Sequence, residues 1–107
     1  MLNNLPGLSS TLSKFSNSRN KKIDLIANNA SALLDANPKR MYAAFINNGE
    51  DDITLVLQDK SRAVINEGII LKGHGGSYEI TLLNLYTGKV SAISASAIQL
   101  SFVEGFE

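Results

Sequence analysis

From Ile23 onward, apolar and polar residues trade places with a period of two, in short runs. Ile23, Leu25 and Ala27 alternate with Asp24, Ile26 and Asn28, and the Asn28-Asn29 pair ends the run. Residues 30–35 make the next run, closed by Asn37-Pro38. In "RMYAAFINN", Tyr42, Ala44 and Ile46 share one face and Met41, Ala43 and Phe45 the other. Both faces are apolar, as expected of a central strand covered on two sides. Residues 53–58 alternate around Ile53, Leu55 and Leu57, and residues 63–65 give a brief run before Asn66-Glu67-Gly68. Residues 69–72 and 77–83 flank Gly73-His74-Gly75-Gly76; residues 89–95 and 98–104 follow the turn at Tyr86-Thr87-Gly88.

Short strands at spacings of roughly eight to twelve residues, divided by Gly, Asn and Asp, predict an all-β fold. The expected architecture is an antiparallel β-sandwich of about seven or eight short strands with an extended N-terminal arm. No stretch after residue 20 keeps a helical period for three turns. The alternation assigns the core to Tyr42, Ala44 and Ile46; Ile53, Leu55 and Leu57; Ile69 and Leu71; Tyr78, Ile80 and Leu82; and Ile98, Leu100 and Phe102.

The leading residues differ. Residues 1–20 consist mainly of Asn, Ser, Gly and scattered leucines, too polar to enclose a core of their own. The expected division is an arm over residues 1–21 and a sandwich over 22–107. Leu5, Leu8, Leu12 and Phe15 stand three, four and three apart, so a short helix capped by Ser9 or Ser10 is the alternative to an extended arm. Pro6-Gly7 would stop a longer one. Up to Lys22 the chain also carries Lys14, Arg19, Lys21 and Lys22 and no acid, whereas from Ile23 onward it holds six basic and ten acidic residues. A segment of charge +4 thus precedes a body of charge −4. Leu5, Leu8, Leu12, Lys14, Phe15, Arg19, Lys21 and Lys22 are therefore the expected partner-binding residues.

At 107 residues the chain suffices for one domain. It contains no cysteine, so disulfides, thiolate–metal sites and a thiol nucleophile are excluded. Balanced overall charge argues against nucleic acid as a partner. No apolar run approaches the ~20 residues that span a bilayer, and no signal-peptide pattern opens the chain, so a soluble, unexported protein without a membrane partner is expected.

Four groups could carry chemistry. The glycine loop leads into "SYEITLL", a strand pattern rather than the helix whose N-terminus would meet a phosphate. His74 is the sole histidine and cannot assemble a zinc site alone; a turn in which Gly73, Gly75 and Gly76 take positive φ and His74 sits exposed at the tip fits better. Glu50-Asp51-Asp52 lacks calcium-loop spacing, and Ser94, Ser96 and Ser101 lack a nucleophile elbow. Tyr42, Tyr78 and Tyr86 could stack a sugar, but aromatics in alternating strands more often serve core or rim. No catalytic, metal or cofactor site is expected.

"ANPKRMYAAFINNGEDDITLVL", "GIILKGHGGSYEI", "NLYTGKVSAIS" and "LSFVEG", in that order, resemble a small β-sandwich module of tailed-phage virion proteins and prophage genes. The resemblance spans residues 36–105 and omits the arm; His74 stands where the family loop often has proline before Gly-Gly. It implies a non-enzymatic virion part: a capsid decoration or cement protein on the outer capsid surface, or a head or tail accessory protein, assembled in the host cytoplasm. The implied partners are the major capsid protein and sister subunits, with a homo-oligomer on the capsid, of which a trimer is one form. A fibre or tail component, or a carbohydrate-binding β-sandwich, is the alternative.

Overall fold

An alternating strand directs every second side chain to one face, so it must bury that face against another layer. The computed structural model, which describes residues 14–107, does this with eight strands. They are β1 (Asn17–Leu25), β2 (Ser31–Leu34), β3 (Arg40–Asn47), β4 (Ile53–Val56), β5 (Ile69–Leu71), β6 (Ser77–Ile80), β7 (Val90–Ile93) and β8 (Ile98–Phe106). A first sheet has the order β1-β8-β3-β6 and a second the order β2-β7-β4-β5, with all pairings antiparallel. Only the β4–β5 connection stays within one sheet. This is the jelly-roll arrangement of a two-sheet sandwich.

The core lies between the sheets. Leu25, Ala43, Phe45, Ile80, Leu100 and Phe102 come from the first, and Leu34, Ile53, Leu55, Leu71, Val90 and Ala92 from the second. Phe45 and Phe102 stack at 6.3 Å between ring centroids. The expected inward sets hold for Ile53 and Leu55, for Ile69 and Leu71, and for Ile98, Leu100 and Phe102.

The expected face of β3 is reversed. Ala43 and Phe45 are fully buried, while Tyr42 and Ala44 are half-buried and Ile46 is 43% exposed. Either face was apolar enough to enter the core, and the bulk of Phe45, opposite Phe102 in the ladder, decided the register. Leu82 also points away from the core, because β6 stops at Ile80 and residues 81–85 form a turn. Residues 63–65 make no strand. Val64 bridges Glu67 around a tight turn in which Asn66 takes φ +70°.

β1 corrects the boundary between arm and sandwich, since it starts at Asn17 rather than after residue 21. It pairs with β8 in unbroken register from Asn17 opposite Phe106 to Leu25 opposite Ile98. A polar sequence suffices because β1 is an edge strand whose first half is exposed on both faces, so ladder hydrogen bonds rather than burial place it. The basic side chains along it discourage pairing with a further strand.

Polar side chains on the first and last residues of β3 close the two ends of the sandwich. Arg40 is 1% exposed and Glu104 2%, joined by an Nε to Oε2 hydrogen bond of 2.8 Å. The Arg40 guanidinium also donates to the carbonyls of Asp35, Tyr86 and Gly88 at 2.7–2.9 Å, and Asn37 Nδ2 donates to Glu104. At the other end, buried Asn47 donates to the carbonyls of Asp51 and Leu71 and accepts from the N–H of Gly49. Among the described residues no buried side-chain polar atom lacks a partner.

Two outcomes test this description. Phe45→Ala should cost about 3–5 kcal/mol in denaturant unfolding and Ile46→Ala at most about 1 kcal/mol; equal losses would contradict the register. Arg40→Met should cost about 3–5 kcal/mol by stranding Glu104, and adding Glu104→Met should recover part of it. A loss below about 1 kcal/mol for the single variant would mean that the pair behaves like a surface one.

Candidate interaction surface

The two sheets differ in what covers their outer faces. All four residues of β4 and of β7 are buried, because the β4–β5 connection folds back over them. Ser91 Oγ donates to the carbonyl of Gln58 at 3.0 Å, and the N–H of Asn66 donates to Thr54 Oγ1 at 2.9 Å. A single 3₁₀ turn at Lys60–Arg62 lies in that connection, capped by Asp59. Hydrogen bonds from Ser61, with Lys89 adding its charge, pull the Asp59 carboxyl down to about 2. The second sheet thus supplies its own cover.

Among the described residues nothing covers the outer face of the first sheet. Cross-strand pairing sets Lys22, Ser101 and Ile46 in one row, Asn20, Val103 and Ala44 in the next, and Gly105 beside Tyr42 beyond. A shallow depression of about 420 Å³ lies over the first two rows, lined by Lys22, Ala44, Ile46, Ser101 and Val103 among others. Phe15 marks one end of this face: its ring lies parallel to that of Tyr42 at 6.0 Å and rests on Gly105, where a Cβ would collide with it. The Tyr42 hydroxyl donates to Glu79 at 2.5 Å, and that bond raises the phenol pKa.

The expected binding residues separate on this frame. Leu5, Leu8 and Leu12 lie outside the described residues, and with them the choice between an extended arm and a helix. Phe15 and Lys22 lie on the open face. Arg19 sits 3.8 Å from Glu104 and 5.1 Å above the Phe106 ring, so it serves the buried cluster. Lys21 alternates with Lys22 along the edge strand, and Lys14 precedes it, exposed. The sequence had marked Tyr42, Ala44 and Ile46 as significant, but for the core rather than the open face.

The chemical candidates resolve into structure. His74 is exposed and itself takes φ +65°, next to Gly75 at +100°; Gly73 and Gly76 do not take positive φ. Their lack of a Cβ serves close approach instead, Gly73 against the Glu50 carbonyl and Gly76 against the Lys72 backbone. The N–H of His74 reaches the Gly49 carbonyl at 2.7 Å, and that of Gly75 the Asn47 carbonyl at 3.0 Å, so this loop and the β3–β4 loop are laced together by their backbones. Asp52 joins the same lacing. Lys72 and the N–H of Gly73 both donate to it and lower its pKa.

Ser94 donates to the Asp52 carbonyl, and Ser101 accepts from Asn48 Nδ2. Among the described residues no three His, Asp or Glu side chains converge as metal ligands. The tyrosines share no platform: Tyr42 faces outward, Tyr78 and Tyr86 pack against the core, and the Tyr86 hydroxyl lies 2.8 Å from the carbonyls of both Leu57 and Lys89, which share its one proton. What fold and surface define is an all-β jelly-roll sandwich with one open, partly apolar face.

No known family model matches the chain, and no curated protein matches it. Among solved structures, a chain from Bacillus endospore appendages, described as a novel family of disulfide-linked pili, is distantly similar: 16% identity, TM-score 0.47, over 84% of this chain and 87% of that one. Nothing in these comparisons supports the tailed-phage resemblance.

The β5–β6 loop gives a direct test. Gly76→Ala should lower stability by about 1–3 kcal/mol through backbone collision, while His74→Gly should leave it unchanged or raise it, because glycine accepts positive φ without strain. Thermal unfolding of both variants measures this. A substantial loss from His74→Gly would mean that the imidazole has a structural partner.

Proposed function

We propose that this chain is a non-enzymatic structural subunit that works by associating with copies of itself in a repeated assembly. The observation that carries the reading is the open outer face of the first sheet. There a central strand turns Tyr42, Ala44 and Ile46 outward with no covering element among the described residues, while the second sheet is roofed by its own connection. Exposed apolar surface on a rigid sheet is characteristic of a docking surface. Phe15 and Lys22 lie on it, which brings the leading segment to the same face.

Many weak contacts repeated over a lattice give large total avidity, so a subunit of this kind needs no deep pocket. Capsid decoration or cement, with the major capsid protein as partner, is the narrower form implied by the resemblance. It rests on that resemblance alone. The carbohydrate-binding alternative loses its motive, because Tyr42, Tyr78 and Tyr86 do not converge.

Sedimentation velocity and electron microscopy of the full chain, compared with residues 14–107, test the reading. The truncation keeps all eight described strands, so it should retain a β-sheet circular dichroism spectrum and cooperative unfolding. The full chain should assemble with rising concentration, and the truncated one more weakly. A full chain that stays monomeric throughout would overturn self-association, and equal assembly by both would remove residues 1–13 from it.

A further inference from the structure

The turn after β6 presents three leucines to solvent: Leu82 is 40% exposed, Leu85 45% and Leu83 98%. Apolar side chains on a mobile loop would lose conformational freedom on docking, but this turn is already fixed. The N–H of Thr81 donates to Asn84 Oδ1 at 2.7 Å, and Thr81 Oγ1 bonds the same oxygen at 2.8 Å. Asn84 Nδ2 donates to the Glu79 carbonyl at 3.0 Å and to the Tyr78 hydroxyl at 3.1 Å, while the N–H of Leu83 donates to Thr81 Oγ1. Asn84 therefore ties the turn to β6 and holds Leu83 outward. Among the described residues no core contact accounts for that arrangement.

The same chain carries a matching receptor. The depression over Lys22, Ala44, Ile46, Ser101 and Val103 has apolar walls and a lysine rim, and its volume of about 420 Å³ admits an aliphatic side chain. Leu83 does not fill the depression of its own chain, since it is almost wholly exposed. Charge matches as well as shape: Glu79 precedes the turn on the outer face of β6, while Lys22 borders the depression.

We propose that residues 81–85 form a preformed plug, with Leu83 at its tip, that seats in the β1-β8-β3 depression of a second copy of this chain. This names the contact for the self-association proposed above and rests on that reading. Plug and receptor are different patches, so the contact is heterologous. Each copy keeps a free plug and a free receptor, and the assembly extends as a filament or closes as a ring rather than stopping at a two-fold dimer.

Because the chain has no cysteine, introduced pairs report the contact cleanly. In the full chain, Leu83→Cys combined with Lys22→Cys should give a ladder of disulfide-linked oligomers on oxidation, whereas each single variant should stop at dimers. Leu83→Asp should leave circular dichroism unchanged and raise the midpoint concentration of assembly about ten- to hundredfold, as expected for loss of one buried leucine. Ile46→Asp on the receptor side should do the same. Should the wild type assemble while Leu83→Asp assembles equally well and no ladder forms, the plug is overturned although self-association stands. If assembly instead depends on residues 1–13 and not on Leu83, the depression belongs to the arm and the plug is likewise overturned. A wild type that never assembles overturns both.

Discussion

The buried pair of Arg40 and Glu104 is the constraint around which this sandwich is organised. Two sheets joined by crossing loops need their ends closed, and here three loop carbonyls, from Asp35, Tyr86 and Gly88, point inward where no ladder can pair them. A guanidinium is the side chain suited to collecting several carbonyls and a carboxylate at once, since its donors are held in a rigid planar fork. Glu104 balances its charge and extends the cluster to Asn37 and to Arg19 on the edge strand. Four parts of the chain are fixed around one charge: the β2–β3 loop, the β6–β7 loop, β8 and β1. An apolar replacement of similar volume could fill the space but would leave those carbonyls unpaired.

Asn47 performs the corresponding neutral task seven residues further along the same strand. Its amide collects the Asp51 and Leu71 carbonyls, and the β3–β4 loop so fixed becomes the template for the glycine loop. β3 thus serves twice over: Ala43 and Phe45 fill the core, and its terminal side chains hold both ends. With the ends closed by polar groups, the outward residues Tyr42, Ala44 and Ile46 have no part in closing the fold. An apolar outward face can persist there because no loop is needed to cover it for stability.

The sequence made strand positions legible because period-two alternation and turn residues are local signals, which is why seven of the strands fell near their expected places. It did not reveal the face of β3. "RMYAAFINN" is apolar on both sides, and only the pairing of Phe45 with Phe102, a contact between distant parts of the chain, distinguishes them. The first two-thirds of β1, before the expected run at Ile23, escaped notice for the opposite reason: "NSRNKK" carries no apolar alternation, and an edge strand placed by its backbone ladder requires none. Leu82 and Leu83 were read as a continuing strand, since the Thr81–Asn84 turn depends on side-chain bonds that leave no mark in the hydrophobic pattern. In the glycine loop the turn itself was legible, but not which residue carried the positive φ. Gly75 takes that conformation as expected, His74 takes it beside Gly75, and Gly73 and Gly76 are needed for space instead.

The surface that bears on function was therefore visible in composition and hidden in direction. An isolated apolar residue on a surface signifies little. Here several of the outward apolar residues stand on structure that is already fixed, although Ile26, Val64 and Ile70 are exposed elsewhere. Ile46, Ala44 and Val103 lie on adjacent central strands, Phe15 is stacked on Tyr42, and the leucines of residues 82–85 stand on a turn bonded back to β6. Rigid apolar surface lowers the entropic cost of association. The lysines bordering the open face add a longer-range attraction toward acidic surface, and the remainder of this chain carries net charge −4. A subunit that is basic along one edge strand and acidic elsewhere favours contact between unlike patches over contact between like ones. That asymmetry opposes a symmetric dimer through the β1 edge and accords with the head-to-tail contact we propose.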